Sequence, residues 1–241
     1  MNEQITNSIF MVRPVSFGYN LETGQTNAFQ KHIYDLNEFQ ISSLVTNEFD
    51  GMVSTLRQAG IEVIVIDDNK DNIRPDAIFP NNWISLHSNG MVITYPLQSQ
   101  NRRTERRDDI IETLSKNFRI EKRLSLEVYE KRNQYLEGTG SMVFDHSNKI
   151  IFACLSPRTD LELLIHYSDL LKYKLFYFNA FDEANRAIYH TNVMMAIGID
   201  FVVICLRSIE ENKRSEIIKI FEKTDKEIID ISFDQMNHFA G

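Results

Sequence analysis

The chain has 241 residues, 43% hydrophobic and 25% charged, with a net charge of −8 and a pI near 5.3. That balance is the one expected of a folded globular protein, and its acidity argues against nucleic acid or an anionic membrane as partner, because both select basic faces. No secretory leader or membrane-length apolar run is visible, and the two cysteines, Cys154 and Cys205, sit in apolar runs without zinc or disulfide spacing. The expectation is therefore a cytoplasmic protein with no metal and no cofactor.

The predicted elements alternate between strand and helix. Ser8–Phe17 reads as a strand, Leu44–Ala59 as a helix despite Gly51, and Gly60 as its stop signal. Ile61–Ile66 is a nearly continuous apolar strand of the kind buried on both faces. Ala77–His87 and Met91–Tyr95 form a predicted hairpin around Asn89-Gly90, a pair that supplies positive φ. A helix follows at about Thr104–Asn117. The next stretch gives strands at Ser141–Asp145 and Ile150–Leu155, a helix at Thr159–Lys172 and a strand at Leu175–Asn179. The last gives strands at His190–Ile197 and Phe201–Arg207, a helix at Ile209–Lys223 and a strand at Glu227–Ser232. The order strand, strand, helix, strand thus recurs about four times at a period of roughly 50 residues, which points to a repeat array. No Pro/Gly/Ser-rich linker interrupts it, so residues 1–241 read as one domain.

Three polar segments stand at equivalent strand mouths. They are Phe79-Pro80-Asn81-Asn82-Trp83, Leu136-Glu137-Gly138-Thr139-Gly140-Ser141 and Tyr189-His190-Thr191-Asn192. Taken singly, each has a plainer reading: turn-forming Asn at a strand end, a turn with a surface Glu, a structural His. Taken together they offer an amide pair, a carboxylate beside two glycines that let a ligand approach backbone, and a histidine suited to acid/base work near neutral pH. Equivalent edges of a closed repeat converge on its axis, where such groups would grip a flat, nitrogen-rich small molecule.

The order F-x-x-[D/N], L-E-G-x-G, H-x-[D/N] resembles the guanidino-modifying enzymes: arginine deiminases, dimethylarginine dimethylaminohydrolases and amidinotransferases. With Met11-Val12-Arg13-Pro14, Asn20-x-Glu22-Thr23 and Asn27-x-Phe29-Gln30 added, the likeness is greatest to the citrulline-utilisation hydrolases (CtlX type). The resemblance implies a pentein fold, an α/β propeller of five ββαβ units, with about four of the five present here. It implies a thiol-dependent hydrolase or transferase of C–N bonds in citrulline- or arginine-like substrates. It assigns His190 as the acid/base group and Glu137 as the carboxylate holding the terminal nitrogens. Asn82 and Asn192 fall where deiminases usually carry Asp, and Arg103, in Arg102-Arg103-Thr104-Glu105, is the candidate for a substrate carboxylate. Asn20, Glu22 and Thr23 read as a loop over the pocket or as a surface turn.

Two departures from the family pattern shape the expectation. Amides both donate and accept, so Asn82 and Asn192 suit a neutral ureido group better than a guanidinium. The family's nucleophilic cysteine is expected after Asn237-His238-Phe239-Ala240-Gly241, and neither Cys154 nor Cys205 is a convincing substitute in its apolar surroundings. The sequence alone therefore reads as a C-terminally incomplete, inactive relative that self-associates through open edges. The alternatives are a non-catalytic binder of a small amino acid, or a structural remnant.

Overall fold

A computed structural model describes residues 4–30 and 35–241. They form two compact units, one of Thr6–Ser125 and one of Leu126–Gly241 joined by residues 4–5.

The first unit opens with β1 (Ser8–Arg13), α1 (Glu38–Gln58) and β2 (Glu62–Asp67), the two strands parallel from Ser8 opposite Glu62 to Arg13 opposite Asp67. The helix begins six residues before the sequence expectation. Asn37 forms a capping box with Gln40, its side chain accepting the Gln40 N–H at 2.9 Å while Gln40 accepts the Asn37 N–H at 3.0 Å. Gly60 ends the helix as expected, at φ +85°. Phe49 and Val53 of α1 pack on Val63 with Ile9, Met11 and Val65, which covers one face of the strand pair. Phe10, Val12 and Ile66 face a second cluster built on Trp83, Val92, Leu97, Ile110 and Leu114.

That second cluster draws on β3 (Ile84–Leu86), β4 (Met91–Thr94) and α2 (Asp108–Leu114) and their flanking residues; β5 (Lys122–Ser125) follows. The β3–β4 hairpin is antiparallel and β4–β5 parallel. Gly90 turns the hairpin at φ +78°, with its N–H on the His87 carbonyl. The strand expected from Ala77 starts at Ile84, because Pro80–Asn82 is a 3-10 turn. α2 starts at Asp108, with Asp108 and Asp109 in its first turn, where acidic residues suit the helix dipole. Arg102 and Arg103 belong to the preceding 3-10 turn, Asn101–Glu105, so the helix expected from about Thr104 starts four residues later.

The second unit repeats the motif twice. α3 (Gly138–Ser141) is a single turn leading into β6 (Val143–Asp145), β7 (Ile150–Cys154), α4 (Leu161–Leu171) and β8 (Lys174–Phe178). β9 (Met195–Ile197), β10 (Phe201–Ile204), α5 (Glu211–Lys223) and β11 (Glu227–Asp230) follow, then the short α6 (Phe233–Asn237). In both modules the middle strand pairs antiparallel with the first and parallel with the last. Phe152 of β7 lies 5.1 Å from Phe221 of α5 between ring centroids, so the two modules share a core. The four strand–helix–strand repeats are present. The first consists only of the parallel pair among the described residues, while the other three are full ββαβ units.

Candidate functional site

Glu137 and His190 meet in the second unit. Glu137 precedes α3, and His190 precedes the 3-10 turn Thr191–Val193, which packs against α3. Gly138 adopts φ +49°, a conformation that costs glycine little, and this lets the chain turn tightly after the carboxylate. The Ser141 hydroxyl accepts the Glu137 N–H at 2.9 Å and donates to the Arg158 carbonyl at 2.8 Å. The Thr191 hydroxyl donates to the Ser141 carbonyl at 2.6 Å and accepts the Cys154 N–H at 2.8 Å. These bonds tie the two turns together through backbone, independently of the charged groups.

The result is a buried charged centre. Glu137 is 0% exposed and His190 4%, and Glu137 Oε2 stands 2.8 Å from His190 Nε2. A carboxylate only accepts, so Nε2 carries the hydrogen. Arg158, also buried, places Nη1 3.5 Å from the same Oε2. Burying a carboxylate is costly unless charge and hydrogen bonds surround it, and here two cationic-type partners do so. An imidazole held by a carboxylate is equipped to move protons, and the carboxylate to receive N–H donors.

A second polar cluster lies within the first unit. Asn20 donates to Asp76 Oδ2 at 2.7 Å and accepts from Asn101 Nδ2 at 2.7 Å, and Thr23 adds a bond to the same Asp76 oxygen at 3.0 Å. Arg102 is buried and grips Glu105 with two bonds of 2.8 Å, donating also to Asn82 Oδ1 at 2.8 Å. Arg103 donates to the backbone carbonyls of Leu97 and Gln98 at 3.0 and 3.3 Å.

The family described as N,N dimethylarginine dimethylhydrolase, eukaryotic, matches residues 13–241. The chain belongs to this family. It is a family of amidino-group hydrolases of the arginine-deiminase-related pentein group. No curated protein matches the chain in sequence. Among solved structures, the N-terminal domain of ArgZ, an arginine dihydrolase of the ornithine–ammonia cycle in cyanobacteria, resembles it with a TM-score of 0.74 and 14% identity over 97% of this chain and 78% of that one. DDAH from Pseudomonas aeruginosa, a cysteine-to-serine mutant complexed with citrulline, gives 0.63 and 13% over 95% and 78%. AgrE, also a cysteine mutant, in complex with L-arginine gives 0.73 and 14% over 97% and 32%. These likenesses show the pentein-type α/β fold expected from sequence.

Within that family frame, the structure brings together Glu137 and His190 in one unit and associates Asn20 and Asn82 with the Asp76–Arg102 cluster of the other. Asn192 is exposed, one residue into the turn after Thr191. Sequence reasoning missed Arg158, Asp76 and Arg102. Arg158 carried a signal: a cation between Pro157 and Thr159, just before an apolar helix, is an unusual residue to bury. Both cysteines are fully buried, and burial pushes the Cys154 thiol up to about 11 and raises that of Cys205. Among the described residues no cluster of His, Cys, Asp and Glu has metal-binding geometry, and no helix is long and apolar enough to cross a membrane.

Proposed function

We propose that the chain binds a linear ureido- or guanidino-amino acid of the citrulline or arginine class, using the site of an amidino-group hydrolase. Glu137 receives the terminal N–H groups and His190 is the acid/base residue. The observation that carries this reading is the buried Glu137–His190 contact at 2.8 Å, reached from two successive modules. ArgZ bound to its substrate, AgrE bound to L-arginine and the Pseudomonas enzyme bound to citrulline supply the ligand class.

Charge favours the citrulline-like member. Arg158 already stands at 3.5 Å from Glu137 Oε2, so a second buried cation gains less there than a neutral group with the same N–H donors. Asn192 keeps its expected binding role beside His190 as part of this proposal, while Asn82, Asn20 and Arg103 remain candidate ligand-binding residues of the first unit, each open to the same titration.

A covalent thiol mechanism needs a thiolate, and neither Cys154 nor Cys205 provides one. The 241 residues are therefore proposed to hold the ligand without turning it over. Their two buried free thiols fit a reducing, cytoplasmic setting. The apolar residues exposed on β10 and β11 are proposed to promote self-association.

Titration calorimetry tests the reading. Citrulline should bind more tightly than arginine, and His190→Ala and Glu137→Gln should each weaken binding about tenfold or more, the loss of a buried charge-assisted contact. Ammonia release should stay at background. Failure of both ligands to bind, or full binding by folded His190→Ala, would rule the proposal out.

A further inference from the structure

The residue before His190 touches both partners of Glu137. The Tyr189 ring has the Arg158 guanidinium carbon 4.7 Å from its centroid, within cation–π range. Its centroid is also 4.7 Å from that of the His190 imidazole, with the planes tilted by 44°. Ser156 fixes this arrangement from behind: its hydroxyl donates to the Tyr189 carbonyl at 2.7 Å and accepts the Arg158 N–H at 3.1 Å. Glu137, Arg158 and His190 are buried, whereas Tyr189 is half-buried and keeps surface open to solvent.

Distance shows what the ring contributes. Arg158 Nη1 and Glu137 Oε2 stand 3.5 Å apart, farther than in a charge-assisted hydrogen bond of about 2.7–2.9 Å, so that atom pair alone does not fix the tilt of the guanidinium plane. A ring face next to that plane restricts its tilt, and the same ring limits rotation of the imidazole.

We propose that Tyr189 is a positioning residue whose aromatic ring keeps Arg158 and His190 in register on Glu137. The role belongs to the ring and not to the hydroxyl. Its consequence for the ligand rests on the binding function proposed above, while the geometry within the protein does not.

Nuclear magnetic resonance of the full chain separates the two. In the wild type, the Arg158 guanidinium protons should be displaced upfield by the ring current and exchange slowly. Tyr189→Phe should keep this signature and bind citrulline within about twofold of wild type. Tyr189→Leu should lose the signature, broaden the His190 imidazole lines and bind citrulline about five- to tenfold more weakly, the range of one cation–π contact. Undisplaced Arg158 protons in the wild type would overturn the proposal without any variant. A Tyr189→Leu protein that melts at a lower temperature but keeps the Arg158 signature would overturn it too, by showing a merely structural role. If the wild type binds neither citrulline nor arginine while the spectral changes appear as described, the functional reading fails and the positioning role stands.

Discussion

Cys154 shows burial setting a residue's chemistry. Its sulfur lies 3.5 Å from both the Ile188 carbonyl and the Thr191 hydroxyl, at 0% exposure. Desolvation raises its pKa from 9.0 to about 11, and the neighbouring Thr191 side chain offsets this only in part. A thiol raised in the folded state gives stability that is complete below the unfolded pKa and disappears as pH climbs through the folded one. About 2–3 kcal/mol should therefore be lost between pH 9 and 11. Thermal melts of wild type and Cys154→Ala across that window should converge as pH rises. At pH 8 the native thiol should resist iodoacetamide until the chain unfolds, which mass spectrometry reads directly. Labelling of folded protein at the rate of a free thiol would contradict the assignment. The same residue-scale logic applies to Arg102, whose charge is acceptable in the interior because Glu105 meets it twice at 2.8 Å and Asn82 accepts a further bond at 2.8 Å.

Among the elements, α1 carries a correctable weakness. Gly51 lies inside the helix Glu38–Gln58, and a Cβ added there meets no atom within 4 Å. Gly51→Ala should stabilise the protein by about 0.5–1 kcal/mol, seen as a rise in the urea midpoint, through helix propensity and a less flexible unfolded chain. No change, or destabilisation, would mean that α1 is not helical at Gly51. The elements also show what the sequence could convey. Apolar periodicity located α1, β2, β4, β7, α4, β8 and α5 to within a few residues, apart from the start of α1. β5 gives no sequence signal because Lys122-Arg123-Leu124-Ser125 is an exposed edge strand with one apolar residue and no alternation. The first strands of three modules are shorter than the sequence predicts for one shared reason. Each is preceded by a single helical turn, Pro80–Asn82, Gly138–Ser141 or Thr191–Val193, too short to give a periodic signal.

For the molecule as a whole, the modular build leaves apolar surface on the last sheet. Phe201 and Ile229 are 38% and 42% exposed, and pairing of Val203 with Ile229 puts both side chains on one face of β10–β11. Ile199, 43% exposed, lies beside Phe201 in the chain. Clusters of this kind favour association, against which a net charge of −8 acts only over a Debye length. Sedimentation should show concentration-dependent association of the wild type at micromolar levels, and the double variant Phe201→Ser, Ile229→Ser should reduce it. A wild type that remains monomeric up to high concentration would exclude this surface as the cause.

The sequence by itself determined the alternation of strands and helices, the family, and Glu137 and His190 as candidate site residues. Those features are written locally, in periodic apolar residues and in short polar motifs at strand mouths. The partners that make the centre tolerable were decided only by the tertiary structure. Arg158 reaches Glu137 from 21 positions away and Tyr189 reaches Arg158 from 31. Asn82 receives Arg102 from 20 positions away. Nothing in the spacing of a sequence records which distant cation will neutralise a buried carboxylate. That choice follows from how the modules pack, because low polarity in the interior makes every enclosed charge depend on whichever groups the fold brings within a few ångströms.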